Sequence, residues 1–388
     1  MNPHISISIH NVQTFVLCSS PPSIPPSKIW KSKYSSFILL RFMLSIISSP
    51  LFGYNIYIQT WEMIFLCTAL CLNSTHPYFG RTLDLYYSHS ENVTVVSKSF
   101  PFSFRHGEKI LSHPKIMGMA YVKDGYPLFY DAMNSEGLGI AALNFPHLAC
   151  YFEKKQGHIN LAPFEVIPYV LSVCKTVRDA RTLFEKVNIT NECFSPNLPN
   201  TPLHWMISDG ENSLTIEQTK NGMKVFENSV GVMTNSPSFD WHLFHLQDYC
   251  HISPTGTFSH ISELLPSFPY SLGLNGKGIP GDWSSSSRFV KCAHLKSVTP
   301  KIKDENESIN CFFHILSQVS VPKGCAVAEN GEFQMTRYTS CMNLKKGIYY
   351  YTTYHNQRIT AVDMSSFKFT NENIISFPLR EEQDIYYR

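Results

Sequence analysis

The chain has 388 residues, 43% of them hydrophobic and 16% charged. Thirty-two Lys and Arg against thirty Asp and Glu leave a net charge of +2, which excludes a basic nucleic-acid coat and an acidic disordered tail. Aromatic residues at 13% exclude disorder in the bulk of the chain, and the length suits one large domain or two ordinary ones. Eleven cysteines are scattered without a C-x-x-C pair, against a zinc ribbon or a thioredoxin-like site and in favour of reduced thiols.

The first 62 residues differ in texture from the rest. No Asp or Glu precedes Glu62, and prolines cluster at Pro21, Pro22, Pro25 and Pro26. The apolar run Phe37 to Ile47 is broken by Arg41 and closely followed by Pro50. It is too short for a membrane span, which needs about 20 apolar residues. Three readings compete for this segment: an over-extended gene start, with Met43 and Met63 as later starts; a signal or pro-segment, for which Lys31, Lys33 and Arg41 supply charge; and a folded extension. We set it aside in reading the fold.

From Cys67 onward, strand patterns dominate. Cys67 to Leu72, Tyr78 to Asp84 and Asn92 to Ser97 read as strands. Ile116 to Val122 and Leu128 to Met133 form a hairpin across Asp124-Gly125, and Gly137 to Leu143 continues it. A helix over Ala162 to Cys174 is predicted despite Pro168. A second starts on the capping-box-like Thr176-Val-Arg-Asp179, with Ala180, Leu183, Phe184 and Val187 on one face. Strands follow at His204 to Ser208, Ser213 to Glu217, Gly222 to Phe226 and Val230 to Met233. Helices follow at Trp241 to Tyr249, Ser287 to Val298 and Ile309 to Val319. Gly347 to Thr353 and Arg358 to Val362 close as a hairpin. No linker splits residues 67–380, so the body is one domain of α+β class.

Walker, dinucleotide, H-E-x-x-H and G-x-S-x-G patterns are absent. Polar residues at strand ends remain: Cys67, Arg81, Asp84, Asn134, Asn144, Asn235 and Arg288. Such types serve acyl transfer together. A thiolate attacks, a permanently charged arginine favours it, a carboxylate orients it, and amide N–H groups hold the oxyanion. The bland alternatives are a buried apolar cysteine, a surface Arg81–Asp84 ion pair, turn-forming asparagines and a helix-capping Arg288. No histidine stands out as the base for Cys67, and the sixteen histidines form no ligand pattern.

Ordered motifs decide between these readings. Cys67-Thr-Ala-Leu, Tyr78-Phe-Gly-Arg-Thr-Leu-Asp84, Asn134-Ser-Glu-Gly-Leu-Gly139 and Ala142-Leu-Asn-Phe-Pro146 come first. Leu203-His-Trp-Met-Ile-Ser-Asp209, Val232-Met-Thr-Asn-Ser-Pro237, Gly278-Ile-Pro-Gly-Asp282 and Ser287-Arg-Phe289 follow. Together they resemble the choloylglycine hydrolase family, which contains conjugated bile acid hydrolases and penicillin V acylases. The resemblance runs from Cys67 to about Asp363. It implies an N-terminal-nucleophile hydrolase fold, a four-layer αββα sandwich, with residues 67–388 as the catalytic domain and 1–66 outside it.

By that resemblance Cys67 is the nucleophile and its own α-amine the base, with a reference pKa of about 7.7–8. A peptide N–H cannot serve, so everything through Leu66 must be removed, whereas in many members the cysteine directly follows the initiator Met. Arg81 matches the arginine beside the thiol and Asp84 the carboxylate that holds the amine. Asn235 matches the side-chain oxyanion donor, Asn144 the backbone donor, and Arg288 the second arginine. Penicillin-acylase members often have Tyr at the position of Asn144, which tilts this chain toward bile salts. The resemblance implies no metal or organic cofactor, an amphiphilic conjugated bile salt as substrate, no nucleic-acid partner, and the homotetramer found among members. Cytoplasmic location follows if the first 62 residues are a mis-called start, and export if they are a signal. The rival readings are penicillin V acylase and, if Cys67 is never exposed as the N-terminus, a silent amphiphile-binding member.

Overall fold

The computed structural model describes residues 65–107, 109–255, 271–328, 330–369 and 373–388. The expected leader therefore lies outside the described residues, except for Phe65 and Leu66. Seventeen strands and five α-helices are present among the described residues. In chain order the first are β1 (Leu66–Asn73), β2 (Pro77–Leu85), β3 (Asn92–Val96), β4 (Ile116–Lys123), β5 (Tyr126–Asn134), β6 (Gly139–Asn144) and β7 (Ile159–Leu161). Then come α1 (Val166–Val173), α2 (Val177–Phe184), β8 (Val187–Ile189), β9 (Leu203–Ser208), β10 (Ser213–Thr219), β11 (Gly222–Glu227) and β12 (Val232–Met233). Helices α3 (Phe239–Leu246), α4 (Ser285–Val298) and α5 (Glu305–Ser317) precede β13 (Ala326–Val327), β14 (Phe333–Asn343), β15 (Ile348–Thr353), β16 (Thr360–Asp363) and β17 (Ile374–Pro378).

Two antiparallel sheets carry the molecule. One runs β12-β1-β2-β14-β15-β16, with β13 beside β14; the other runs β11-β10-β9-β6-β5-β4-β3-β17. Strand β1 shows how they stack. Side chains alternate across a strand. Cys67, Ala69 and Cys71 face a layer shared with Met117, Met133 and Leu143 of the second sheet. Leu70 and Leu72 face the opposite way, onto Phe289 of α4 and Phe312 of α5. The outer face of the second sheet packs on Val170 and Leu171 of α1 and on Ala180 and Phe184 of α2. The order is helix, sheet, sheet, helix, the αββα sandwich the resemblance implied.

Local chemistry explains the joints. Asp124 and Gly125 both take positive φ, 51° and 76°, as the hairpin turn between β4 and β5 requires. Pro168 sits third in α1, in the first turn, where no intrahelical N–H is needed. The Thr176 hydroxyl accepts from Asp179 N at 3.2 Å, and the Asp179 carboxylate accepts from Thr176 N at 2.9 Å, completing the expected box at α2. The sequence reading passed over β14, although it is the inner strand against β2. Its Gln, Thr, Ser and Asn residues are buried and break the apolar alternation that marks a half-buried strand. The helix expected over Trp241 to Tyr249 starts two residues earlier and ends as a 3-10 turn, Gln247–Tyr249.

Candidate active site

Cys67 is the second residue of β1 and points into the layer between the sheets. Arg81 comes from β2, where it pairs with Ala69. Its Nη2 donates to Cys67 Sγ at 2.6 Å, its Nη1 to Ala142 O of the facing sheet at 2.6 Å, and its Nε to Thr82 O at 3.1 Å. Cysteine and arginine are 2% and 1% exposed, so the pair is an interior contact and not a surface ion pair. Burial pushes the Cys67 thiol up, and the adjacent Arg81 charge pulls against it. Burial also works against the Arg81 charge. The Cys67 sulfur, with Tyr338, Asp131 and Asp84, holds that charge above the usual range.

Asp84, at the far end of β2, stands opposite Leu66. Thr336 Oγ1 donates to its Oδ1 at 2.6 Å and Thr82 Oγ1 to its Oδ2 at 3.3 Å. Burial lifts its carboxyl to about 6, against the opposing pull of Arg288, Thr336 and Arg81.

Strand β12 lies antiparallel to β1 with Met233 opposite Ala69. Two residues further, the same register brings Asn235 alongside Cys67. Asn235 Oδ1 accepts from the Cys67 N–H at 2.8 Å and from Arg288 Nη2 at 2.7 Å, and its Nδ2 donates to Asn144 O at 2.7 Å. Arg288, fourth in α4, also donates to Cys67 O, to Thr68 Oγ1 at 2.7 Å and to Trp283 O at 3.0 Å. Burial lowers its pKa, against the carboxylate of Asp84 and the sulfur of Cys67. Asn144 ends β6 on the other sheet and is buried.

The structure thus gathers six of the seven residues singled out from sequence at one site around Cys67. Asn134, in another quoted motif, does something else. Its Nδ2 ties Leu171 O and Cys174 O, and its Oδ1 accepts from Glu136 N and Leu138 N, so it fastens a turn to α1. Cys71 is buried with Sγ 3.0 Å from Ser208 Oγ. Sequence reading passed over Thr82 and Thr336. Thr82 lies inside a quoted motif, two residues before Asp84. Thr336 lies on the unread β14 and left no signal. Sequence reading also set aside the histidines, two of which, His204 and His242, meet the carbonyls of Thr234 and Asn235.

Cys67 and Arg81 open onto a cavity of about 180 Å³ with Phe65, Tyr87, His89, Tyr121, Phe129, Phe164 and Asn144 also on its wall. The ring of Phe65 lies 5.9 Å from that of Tyr87. Leu66 remains peptide-bonded to Cys67 in this chain, so the nitrogen facing Asn235 is an amide. Among the described residues no group of three or more His, Cys, Asp or Glu is placed to hold a metal ion, and no helix is long and apolar enough to cross a membrane.

Two facing antiparallel sheets between helical layers define the N-terminal-nucleophile hydrolase class. Comparison narrows it further. The linear amide C–N hydrolases of the choloylglycine hydrolase family match residues 67–377. The bile salt hydrolase/transferase of Lactiplantibacillus plantarum is 40% identical over 321 residues, 83% of this chain and 99% of that protein. The conjugated bile acid hydrolase from Clostridium perfringens superposes with a TM-score of 0.76 at 33% identity, covering 83% of this chain and 99% of that one. The penicillin V acylase from Agrobacterium tumefaciens shares the fold, with a TM-score of 0.62 at 21% identity over 77% of this chain and 87% of its own. This chain belongs to the choloylglycine hydrolase family and is a hydrolase of linear amide C–N bonds.

Proposed function

We propose that the protein cleaves glycine- or taurine-conjugated bile salts through a thioester on Cys67. The relatives named for that activity support the substrate class. One observation carries the chemistry: the Arg81 guanidinium lies on the Cys67 sulfur while the Asn235 carboxamide lies on the nitrogen of the same residue.

Once Leu66 is removed, that nitrogen becomes an amine that takes the thiol proton. The thiolate attacks the amide carbonyl. The resulting oxyanion is held by the second Nδ2 hydrogen of Asn235 and the backbone N–H of Asn144; one such donor is worth roughly 3–4 kcal/mol. Asp84 holds the α-ammonium group, which gives its proton to the departing glycine or taurine nitrogen as the C–N bond breaks. Water, deprotonated by the α-amine, then splits the thioester into bile acid and free thiol. The cavity beside Cys67 is mainly apolar, as an amphiphile requires, and at about 180 Å³ it has to widen to take a steroid body; loss of Phe65 with the leader opens one of its walls.

The test starts from protein produced from the full-length sequence. Intact mass is read first, then turnover of glycocholate, taurocholate and penicillin V. Turnover confined to chains that begin at Cys67, lost in Cys67→Ala, is the expected result. Turnover by chains that retain Leu66 would sink the mechanism. Penicillin V cleaved faster than either conjugate would move the substrate to the rival class.

A further inference from the structure

We propose that His204 and His242 are positioning residues that hold the Asn235 loop in place for oxyanion binding; this rests on reading Asn235 as the oxyanion donor. The loop Thr234–Ser236 leaves β12 with backbone carbonyls that no strand partner takes up. Each of two carbonyls meets a histidine. His204 Nε2 lies 2.7 Å from Thr234 O, and His242 Nε2 lies 2.9 Å from Asn235 O. A carbonyl only accepts, so both Nε2 atoms carry the hydrogen. Asn235 N in turn donates to Ser285 Oγ at 2.9 Å. The backbone on both sides of the Asn235 carboxamide is therefore fixed by side chains from three other elements: β9, α3 and α4.

The two rings also connect this loop to the rest of the site. His204 stacks on Phe145, 4.3 Å between centroids and 7° between planes, and Phe145 directly follows Asn144. His242 stacks on Phe289, 4.8 Å and 20°, and Phe289 directly follows Arg288. One histidine thus fixes the Asn235 loop relative to the backbone donor. The other fixes it relative to the arginine that holds the Asn235 oxygen. Both imidazoles are buried, at 1% and 2% exposure. Behind His204, Glu217 Oε1 lies 3.4 Å from Nδ1 and accepts from Phe239 N at 2.9 Å, which ties the carboxylate beside the ring to the start of α3. Burial depresses the His242 pKa to about 4, which keeps that ring neutral at working pH. Neither histidine touches the sulfur, so neither can be the base.

An oxyanion donor displaced by about an ångström loses of the order of a hundredfold in rate. The histidines' contribution should therefore appear in kcat and not in substrate binding. The amides of Gln and Asn separate the two ring nitrogens. Gln places its NH2 near the Nε2 position, and Asn places it near Nδ1. Mature protein carrying His204→Gln, His204→Asn, His242→Gln or His242→Asn is assayed on glycocholate for kcat and KM. Cys67 alkylation by iodoacetamide, which forms no oxyanion, is measured alongside, with Asn235→Ala as the reference.

The expected result is that both Asn variants lose kcat about ten- to hundredfold, with KM and alkylation rate within about twofold, while the Gln variants recover most of the loss. Equal losses in Gln and Asn variants would overturn the proposal, as would a KM rising in step or alkylation slowing in parallel with turnover. Should Asn235→Ala itself keep the wild-type kcat, the oxyanion reading fails and the positioning role goes with it. Should Asn235→Ala lose activity while all four histidine variants keep it, only the positioning role fails.

Discussion

Two hydroxyls, Thr336 and Thr82, point hydrogens at the two oxygens of Asp84, and both bonds favour the ionised carboxylate. Burial opposes them and sets the group near 6. Because the folded value exceeds the ordinary 3.8, the folded chain keeps a proton that the unfolded chain releases between those values. The stability this group contributes is therefore greatest below the ordinary value and is lost as pH rises through about 6. In the proposed mechanism activity runs the other way, since there only the Asp84 anion would hold the α-ammonium group. We expect kcat/KM to fall on the acid side, with Asp84 itself protonating below about 6 because the α-ammonium group of the mature chain pulls its carboxyl down. Thr336→Val removes the shorter bond, so its acid limb should move to higher pH in a pH–rate profile. Thr82→Val, which removes the longer one, should move it less. An unmoved limb in Thr336→Val would assign the titration to another group. The motif around Asp84 was legible in sequence because it is contiguous. Thr336 was not, because it arrives from 252 positions away.

Strand β2 carries Gly80 immediately before Arg81, and the reason is the closeness of β14. A Cβ built on Gly80 would lie 2.0 Å from Ser340 O and 2.9 Å from Cys341 Cα, a clash with backbone that no rotamer relieves. Ser340 Oγ also accepts from Arg81 N at 3.1 Å, so the same close approach seats the arginine. Gly80→Ala should therefore separate β2 from β14. We expect a loss of about 2–3 kcal/mol in urea unfolding, with weakened turnover in the fraction that stays folded. Unchanged stability would show that the strands can part without cost. Elements with a local cause, such as the Asp124-Gly125 hairpin and the Thr176 cap, could be read from sequence alone. Strand β14 has no such cause. It is buried on both faces by partners distant in the chain, and its polar residues look like those of a loop until those partners are known.

At the scale of the whole molecule, the layer between the sheets is mostly apolar among the described residues, and Asp131 is one of the polar groups that enter it. Composition and periodicity gave the α+β class; the order of the layers came only through the resemblance, because stacking joins faces rather than neighbours in the chain. Asp131 lies on β5 of one sheet. Its Oδ2 accepts from Tyr338 OH on β14 and its Oδ1 from Tyr349 OH on β15, both at 2.6 Å. These hydroxyls come from the opposite sheet, so the three side chains bind one sheet to the other across the layer between them. All three are buried, at 0%, 1% and 0% exposure. Asp131→Ala would leave two buried hydroxyls without an acceptor as well as a cavity. An unsatisfied buried group costs about 1–3 kcal/mol, so the substitution should cost about 3–5 kcal/mol, read as a lower urea midpoint at unchanged slope. Combining Asp131→Leu with Tyr338→Phe and Tyr349→Phe removes donors and acceptor together, and the part of the loss owed to the orphaned hydroxyls should return, whereas the part owed to the Asp131 charge near Arg81 should not. If the triple variant is no more stable than Asp131→Ala, the loss comes from disturbed packing between the sheets and not from the orphaned hydroxyls.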